Sequence, residues 1–185
     1  NLENRVTERT TALETASRET NRRASQLQAI TELSETISQL QDRSELFNNT
    51  TNLISARFGF YHVGIFILDD DSEYAVLQAT NSEGGQKMLA RGHRLKLGTG
   101  VVGFAAQSGQ ARIALNVGAD AVFFNNLDLP MTRSEVALPM KSRGETIGIL
   151  DVQSTESQAF SQDDLQVLTT LANQVAIAIQ KASSF

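Results

Sequence analysis

Hydrophobic residues alternate with polar or small ones most regularly over residues 133–154, and this pattern predicts a β-hairpin. Val136, Leu138 and Met140 occupy alternate positions of the first strand, and Arg143-Gly144 follows as a tight turn suited to a left-handed conformation. The returning strand is apolar on both faces over residues 147–150. We therefore expect helices on one face of this strand and a second cover, such as the wall of a cavity, on the other.

A long N-terminal helix is predicted by the absence of glycine and proline from residues 1–58. One unbroken heptad frame runs through its first part, which favours a parallel coiled-coil dimer over a lone solvated helix. The final helix carries an apolar stripe that begins after Ser161, where Asp164 completes a capping-box signal. We expect the dimer interface to contain apolar positions of both helices: Leu2, Val6, Leu13, Ala16, Leu27, Ile30, Ile37, Val175 and Ile179.

A second helix and a second hairpin are predicted between these two ends of the chain. Asp42 begins a capping box that starts the helix, and Gly59 is placed to end it. Residues 62–68 and 74–79 read as strands around an aspartate-rich turn. That turn lacks the alternating ligands, glycine and distal glutamate of a calcium loop, so we interpret it as solvated.

Glycines at 98, 100 and 103 satisfy the spacing of the dinucleotide-binding fingerprint between a short strand and a helix. The helix is interrupted at Ser108-Gly109, too soon for a parallel crossover, and the strand before it alternates instead of being apolar throughout. We therefore interpret these glycines as allowing a tight turn and close packing, with phosphate binding as the alternative.

Composition narrows the classes of function. The net charge of −5 over 185 residues gives no basic footprint, so nucleic acid is not expected as a partner. The absence of cysteine excludes disulfides, thiolate metal sites and thiol nucleophiles. No apolar run is long enough for a membrane span. The chain begins at Asn1 without a methionine, so we expect it to be part of a longer protein.

Four stretches resemble the GAF domain in the order that this family shows. They are LGTGVVG at 97–103, SEVALPM at 134–140, GILDVQS at 148–154 and FSQDDL at 160–165. The resemblance covers roughly residues 43–183 and implies an antiparallel sheet flanked by N- and C-terminal helices, an α+β fold. We therefore divide the chain into a coiled-coil signalling helix at 1–42 and a GAF domain at 43–185.

The resemblance implies a regulatory domain of a bacterial multidomain signalling protein. The leader from Leu2 to Thr10 resembles the signalling helix that follows a HAMP module, which implies a cytoplasmic domain in a protein anchored in the inner membrane. We expect a homodimer that binds a small molecule and relays a conformational change to a histidine kinase or cyclase. The alternative is a structural dimerisation spacer without a ligand.

The expected ligand pocket lies beneath the irregular segment 117–131, which is either a lid over a cavity or a plug that fills it. The residues expected around it are Phe66, Phe104, Arg112, Phe123, Phe124, Asn125, Met131, Ser134 and Glu135. Neither His62 nor His93 lies in a catalytic or metal motif, and the sulfoxide reductases of the resembled family need cysteine. We therefore expect no enzymatic activity, no cofactor and no metal.

Overall fold

The computed structural model describes residues 1–39, 42–119 and 126–183. The sheet has six strands, and all helices but α1 and α2 lie between strands or after the last one. The elements in chain order are α1 Leu2–Gln39, α2 Arg43–Phe58, β1 His62–Leu68, β2 Tyr74–Thr80, α3 Glu83–Ala90, β3 Arg94–Lys96, α4 Gly100–Ser108, β4 Arg112–Ala114, a 3₁₀ turn Val117–Ala119, β5 Ser134–Ser142, β6 Glu145–Ser154 and α5 Gln162–Ser183.

The sheet is antiparallel throughout, with strand order β3-β2-β1-β6-β5-β4. Its centre is the predicted hairpin, in which Ser142 pairs with Glu145 and both turn residues, Arg143 and Gly144, have positive φ. Two consecutive left-handed residues give the turn the twist that adjacent antiparallel strands need. The predicted fold class, an α+β domain with an antiparallel sheet, flanking helices and a long N-terminal helix, is confirmed.

Helices α1, α2 and α5 cover one face of the sheet. Val136, Leu138 and Met140 of β5 point into this layer with Leu150 and Val152 of β6. Helix α5 contributes the facing stripe, whose members are fully buried: Leu168, Leu171, Ala172, Val175 and Ala176. Burying each leucine or valine stabilises the fold by about 1.5–3 kcal/mol. This layer holds more buried apolar residues than the layer on the opposite face, so it is the larger part of the core.

Helices α3 and α4 cover the opposite face and complete the second cover expected for β6. Phe66 and Ile149 of the sheet pack there with Met88 of α3 and Val101 and Val102 of α4. The sequence pattern did not predict α3, because two glycines at 84 and 85 disfavour a helix. Tertiary packing explains the glycine at position 84, since a Cβ there would lie 2.0 Å from the backbone oxygen of Asp128.

The glycines at 98, 100 and 103 allow a tight turn and close packing at the start of α4, as expected from the sequence. Gly98 and Gly100 have positive φ, and Gly103 lets the helix approach the preceding strand. A Cβ on Gly103 would lie 2.6 Å from the carbonyl oxygen of Lys96 and 3.2 Å from the nitrogen of Gly98. The backbone of α4 at Gly103 therefore packs directly against the backbone of residues 96–98, which agrees with a packing role for this glycine.

Helix ends follow the predicted capping signals. The side chain of Asp42 accepts from the backbone N–H of Ser44 at 3.0 Å, and Gly59 ends α2 in the left-handed conformation. Ser161 and Asp164 form a reciprocal capping box, with each side chain accepting the other's backbone N–H at 3.1 and 3.0 Å. Among the described helices, none is both long and apolar enough to cross a bilayer.

The N-terminal half of α1 extends away from the domain. Its apolar side chains Leu2, Val6 and Leu13 are largely exposed, whereas Gln26 and Leu33 are buried against the domain. These three side chains fall on the predicted heptad seam, and the coiled coil itself stays a prediction. The boundary predicted between residues 42 and 43 also stays a prediction.

Candidate ligand cavity between the sheet and helices α3 and α4

A small, partly enclosed cavity of about 20 Å³ lies between the sheet and the α3/α4 layer. This is the space that one water molecule or one ammonium group occupies. Its walls are mostly apolar, with a polar floor from β5 and β6. They are formed by Phe66, Met88, His93, Leu95, Val101, Val102, Asn126, Leu129, Glu135, Asp151 and Gln153.

Larger grooves lie elsewhere, but they are open to solvent. Two hollows of about 640 and 670 Å³ are shallow depressions beside α1 and beside β3. Their charged side chains include Arg22, Arg57 and Arg91, each of which is already ion-paired. The enclosed cavity is the stronger candidate site, because convergent buried polar groups are typical of ligand sites.

The polar floor is a continuous hydrogen-bond network. The hydroxyl of Thr132 donates to Oε1 of Gln153 at 2.6 Å, which leaves the amide nitrogen of Gln153 to serve two carboxylates. Nε2 donates to Oε2 of Glu135 at 3.1 Å and to Oδ2 of Asp151 at 2.8 Å. Two buried carboxyl groups are thus held together by one shared neutral donor.

Strand register explains why these side chains meet. Gln153 pairs with Glu135 on β5 and with His62 on β1, so the three stand side by side on one face of the sheet. Asp151, two residues earlier on the same strand, pairs with Ala137 and with Gly64. The two smallest residue types therefore flank Asp151, and Asp151 itself lines the cavity.

Burial raises the pKa of the Asp151 carboxyl above its ordinary value, and hydrogen bonds from Glu135 and Gln153 oppose that rise. The carboxyl is 1 % exposed, and water cannot stabilise its charge there. Its Oδ1 has no hydrogen-bond partner among the described residues. Leaving a buried oxygen without a hydrogen-bond donor lowers the stability of the fold by about 1–3 kcal/mol.

His62 is a second buried polar residue on the same face. Its Nδ1 lies 2.6 Å from Oγ of Ser82 and 3.3 Å from Oγ1 of Thr80. Burial, and secondarily the charge of His93, lowers the pKa of the imidazole to about 4. The ring is therefore neutral at physiological pH, and its Nε2 has no partner within the described part of the chain.

His93 stands at the rim of the cavity, where its ring meets Phe66 edge-on with the centroids 6.1 Å apart. Burial and the neighbouring Arg91 lower the pKa of His93, while Asp128 raises it. Arg91 also forms an ion pair with Asp128, which links the end of α3 to the segment that roofs the cavity. This ion pair at the rim is partly exposed to solvent, so it contributes little to stability.

The residues predicted to bind a ligand are distributed over both faces of the sheet. Phe66 and Glu135 line the cavity, whereas Ser134 points to the opposite face and donates to the carbonyl of Glu156 at 2.6 Å. Met131 is exposed. Residues 123–125, which hold the predicted Phe123, Phe124 and Asn125, lie outside the described residues. Ligand binding by any of these stays a prediction.

The predicted pair Phe104 and Arg112 lies outside the cavity. The guanidinium of Arg112 lies over the ring of Phe104 at 4.6 Å, in a cation–π contact between α4 and β4. This contact holds the helix against the edge strand and is worth about 0.5–2 kcal/mol between two half-buried side chains. The structure thus gives both residues a packing role.

The residues predicted at the dimer interface fall into two groups. Leu2, Val6, Leu13, Ala16 and Leu27 are exposed on α1. Ile30 packs against the core, and Val175 and Ile179 are buried within the chain. The side chain of Ile37 lies outside the described residues.

Several cavity residues were not anticipated from the sequence, above all Asp151, Gln153 and His93. A signal was available for two of them, since Asp151 and Gln153 are the polar residues, two apart, in the otherwise apolar stretch 147–153 of β6. Period-two polarity in a buried strand indicates a polar site on one face. His93 and Asn126 lie in irregular segments, where only tertiary structure brings them to the cavity.

Comparison with known proteins agrees with this geometry. The family model described as GAF domain matches residues 41–180. The chain belongs to the GAF domain family. This is a family of regulatory and sensory domains, so the predicted family is confirmed, while the multidomain sensor context and the coiled coil stay predictions.

This GAF domain is similar to a curated regulatory protein in sequence and to solved GAF domains in structure. It is 30 % identical over 134 residues to the Nif-specific regulatory protein of Azotobacter vinelandii, covering 69 % of this chain but only 25 % of that protein. The GAF domain of a phosphoenolpyruvate-protein phosphotransferase from Coxiella burnetii is 21 % identical with a TM-score of 0.78, covering 87 % of this chain and 96 % of that one. The latter likeness shows the fold alone.

The prediction of no enzymatic activity, which was drawn from the missing cysteine and catalytic motifs, is wrong, because solved structures with this fold include enzymes. A free methionine-R-sulfoxide reductase from Neisseria meningitidis, solved with its substrate, has a TM-score of 0.77 at 23 % identity, covering 86 % of this chain and 90 % of that one. Other free methionine-R-sulfoxide reductases share the fold. The GAF scaffold therefore carries enzymes, because fold alone does not determine the chemistry of a site.

Proposed function

We propose that this GAF domain is a sensory module that binds a small molecule in the cavity and relays the event through α1 and α5. In this proposal two copies associate in parallel through these helices and act on an output domain such as a histidine kinase. The domain works in the cytoplasm, within a longer protein anchored by an upstream HAMP or transmembrane module.

One observation carries the proposal: strands β5 and β6 contact the cavity with one face and the signalling helices with the other. Glu135 and Asp151 line the cavity, whereas Val136 and Val152 beside them pack in the layer of α5. A ligand that shifts either strand must alter the packing of α5, because close-packed cores do not deform without repacking. The sheet therefore offers a short mechanical path.

Helices α1 and α5 are coupled to each other as this mechanism requires. They run parallel, with Asp164 at the start of α5 contacting Arg22 and Gln26, and Gln174 farther along contacting Ser34 at 3.1 Å. A displacement of α5 is therefore transmitted to α1. If two packings of the helical pair differ in ligand affinity, then by reciprocity dimer geometry changes that affinity equally.

A structural dimerisation spacer is the second candidate, and the size of the cavity favours it. About 20 Å³ holds a single small group and leaves no room for a larger ligand in this conformation. A sensor must therefore either bind a very small group or open the roof between α3 and the segment at 126–131. The spacer needs neither.

Native mass spectrometry of the purified chain, before and after denaturation, separates the two candidates. A dimer that carries an additional small mass, lost on unfolding, is the result expected of a ligand-binding sensor. A dimer without added mass, even after incubation with an extract of small metabolites, would favour the spacer. A monomer under all conditions would remove the support for relay through paired helices.

A further inference from the structure

Basic side chains are concentrated in one part of an otherwise acidic domain. Residues 84–119 contain five lysine or arginine residues and no aspartate or glutamate, whereas the whole chain has a net charge of −5. Three of the five, Arg91, Arg94 and Lys96, line the hollow of about 670 Å³ beside β3. Arg91 pairs with Asp128, but among the described residues no carboxylate pairs with Arg94 or Lys96. This hollow therefore favours an anionic partner.

The hollow follows the open edge of the sheet. Strand β3 is a terminal strand of the described sheet, and four consecutive residues, 93–96, line the hollow. Because successive side chains of a strand point to opposite faces, consecutive residues border one hollow when it runs along the edge of the strand. The other wall is formed by residues 126–128. This geometry suits an extended segment that lies beside β3.

The backbone of β3 is oriented to pair with such a segment. The carbonyl oxygen of His93 accepts from the N–H of Leu77, and the N–H of Leu97 donates to the carbonyl of Glu73, both at 3.0 Å. Hydrogen-bonded positions alternate in an antiparallel ladder, so the N–H and C=O of the residue after His93, which is Arg94, point to the open side. An edge strand with outward backbone groups is a template for a further strand.

Side chains on the two faces of β3 specify the chemistry of the added segment. Arg94 and Lys96 project from one face, where the Arg94 guanidinium lies over the ring of Tyr74 at 3.9 Å. Leu95 projects from the other face and packs in the α3/α4 layer, and Leu127, which is 87 % exposed, lines the same hollow. Cross-strand neighbours of opposite charge, and apolar neighbours, pair favourably. A segment that alternates acidic, apolar and acidic residues therefore matches this edge.

We propose that the open edge of β3 binds an extended segment of a partner protein with this acidic, apolar, acidic pattern, as a seventh strand of the sheet. The two acidic side chains contact Arg94 and Lys96, and the apolar side chain between them lies beside Leu95 and Leu127. No such triplet occurs in the 185 residues of this chain, so a second copy does not supply the segment. Binding here requires no ligand in the cavity, so the inference stands apart from the proposed sensory function.

Fluorescence anisotropy with labelled peptides tests the proposal. The probe is the alternating peptide Gly-Glu-Val-Glu-Val-Glu-Gly, and its control is the shuffled peptide Gly-Glu-Glu-Glu-Val-Val-Gly, which has the same composition and charge. An oligothymidylate of similar charge is the second control. We expect saturable binding of the alternating peptide that weakens as salt is added, and at least about tenfold weaker binding of both controls.

A charge-reversed variant and a matched control locate the binding. Arg94→Glu/Lys96→Glu should weaken it at least about tenfold, because like charges then oppose each other across the added strand. Arg133→Glu/Lys141→Glu makes the same charge change at exposed positions before and within β5, which three strands separate from β3, and should bind as the unmodified chain does. If the first variant does not fold, Lys96→Gln replaces it and should also weaken the binding.

Amide hydrogen exchange, followed by NMR, separates strand addition from charge attraction alone. With the alternating peptide bound, the N–H of Arg94 should exchange at least about tenfold more slowly, because it gains a carbonyl acceptor. The N–H of Leu97 already donates to Glu73 and should change less. Equal binding of either control, binding that the β3 variants leave unchanged, or an Arg94 amide that exchanges at its original rate would overturn the strand site.

Discussion

The side-chain amide of Gln26 on α1 donates a 3.1 Å hydrogen bond to Oδ1 of Asp164, the capping residue of α5, and both residues are buried. Oδ2 of the same carboxylate accepts from the N–H of Ser161 and contacts the guanidinium of Arg22. One carboxylate therefore starts the last helix and fastens the first helix to it. The contact joins the two elements through which the proposed signal passes.

Replacing Asp164 with alanine should destabilise the domain by about 2–4 kcal/mol. The change removes a cap worth about 1 kcal/mol and leaves the buried amide of Gln26 unsatisfied at a further 1–3 kcal/mol. Urea unfolding followed by circular dichroism measures the loss. Asp163→Ala is the control, because Asp163 is exposed in the same first turn and contributes only through the helix dipole. Equal losses in the two variants would contradict this role.

Charging the exposed heptad face of α1 should dissociate the proposed dimer. Leu13 and Leu27 are 71 % and 65 % exposed in the single chain, so glutamate at both positions should not disturb the monomer. Across a parallel seam, however, it would bring like charges together in place of apolar contacts. Sedimentation equilibrium of Leu13→Glu/Leu27→Glu should show a monomer, or at least a tenfold weaker association.

Thr11→Glu/Gln28→Glu provides a control of matched charge for the dimer test. Both positions are exposed and lie away from the heptad seam, so this variant should associate as the unmodified chain does. An equal effect of both pairs of substitutions would indicate general charge repulsion and not a seam.

His62 should make the domain sensitive to acid. Its pKa is lowered to about 4 in the folded state, against 6.5 when unfolded, so its contribution to stability is present above pH 6.5 and lost as the pH falls toward 4. Between about pH 7.5 and pH 5 this loss amounts to roughly 2 kcal/mol. Urea unfolding at the two pH values measures it.

The variant His62→Asn should lose less stability between these pH values than the unmodified chain, although it is less stable at both. Asparagine keeps a polar group near Ser82 but does not titrate. His93→Asn is the comparison, because His93 is only half-buried and the charge of Asp128 opposes the lowering of its pKa by burial. A pH dependence that His62→Asn leaves unchanged would assign the acid sensitivity to another group.

Gly103→Ala should destabilise the domain by about 1–3 kcal/mol, because its Cβ would lie 2.6 Å from the backbone oxygen of Lys96. Gly118→Ala is the matched control, since among the described residues its Cβ would meet only the side chain of Asn116, at 3.5 Å. That control should change the free energy of unfolding by less than about 1 kcal/mol. Comparable losses would mean that Gly103 is not needed for close packing.

Local sequence patterns predicted the elements whose structure depends on contacts between residues near one another in the chain. The β5/β6 hairpin follows from alternation and the Arg143-Gly144 turn, and the start of α5 follows from the Ser161 capping box, because both depend on contacts within a few residues. Helix α3 was not predicted, because its formation depends on contacts with residues that are distant in the chain. Its glycines are unfavourable locally and become necessary only where Asp128 packs against Gly84.

The sequence by itself therefore determined the fold class, the central hairpin, the helix caps and the membership suggested by the four GAF-like stretches, since periodicity and capping are short-range physics. Only the tertiary structure decided which polar residues form the site. Asp151, Gln153, Glu135 and His62 lie on three strands, and the register of β1, β6 and β5 brings them together. Register depends on the packing of both sheet faces at once, because a shift of one residue would move every side chain of a strand to the other face.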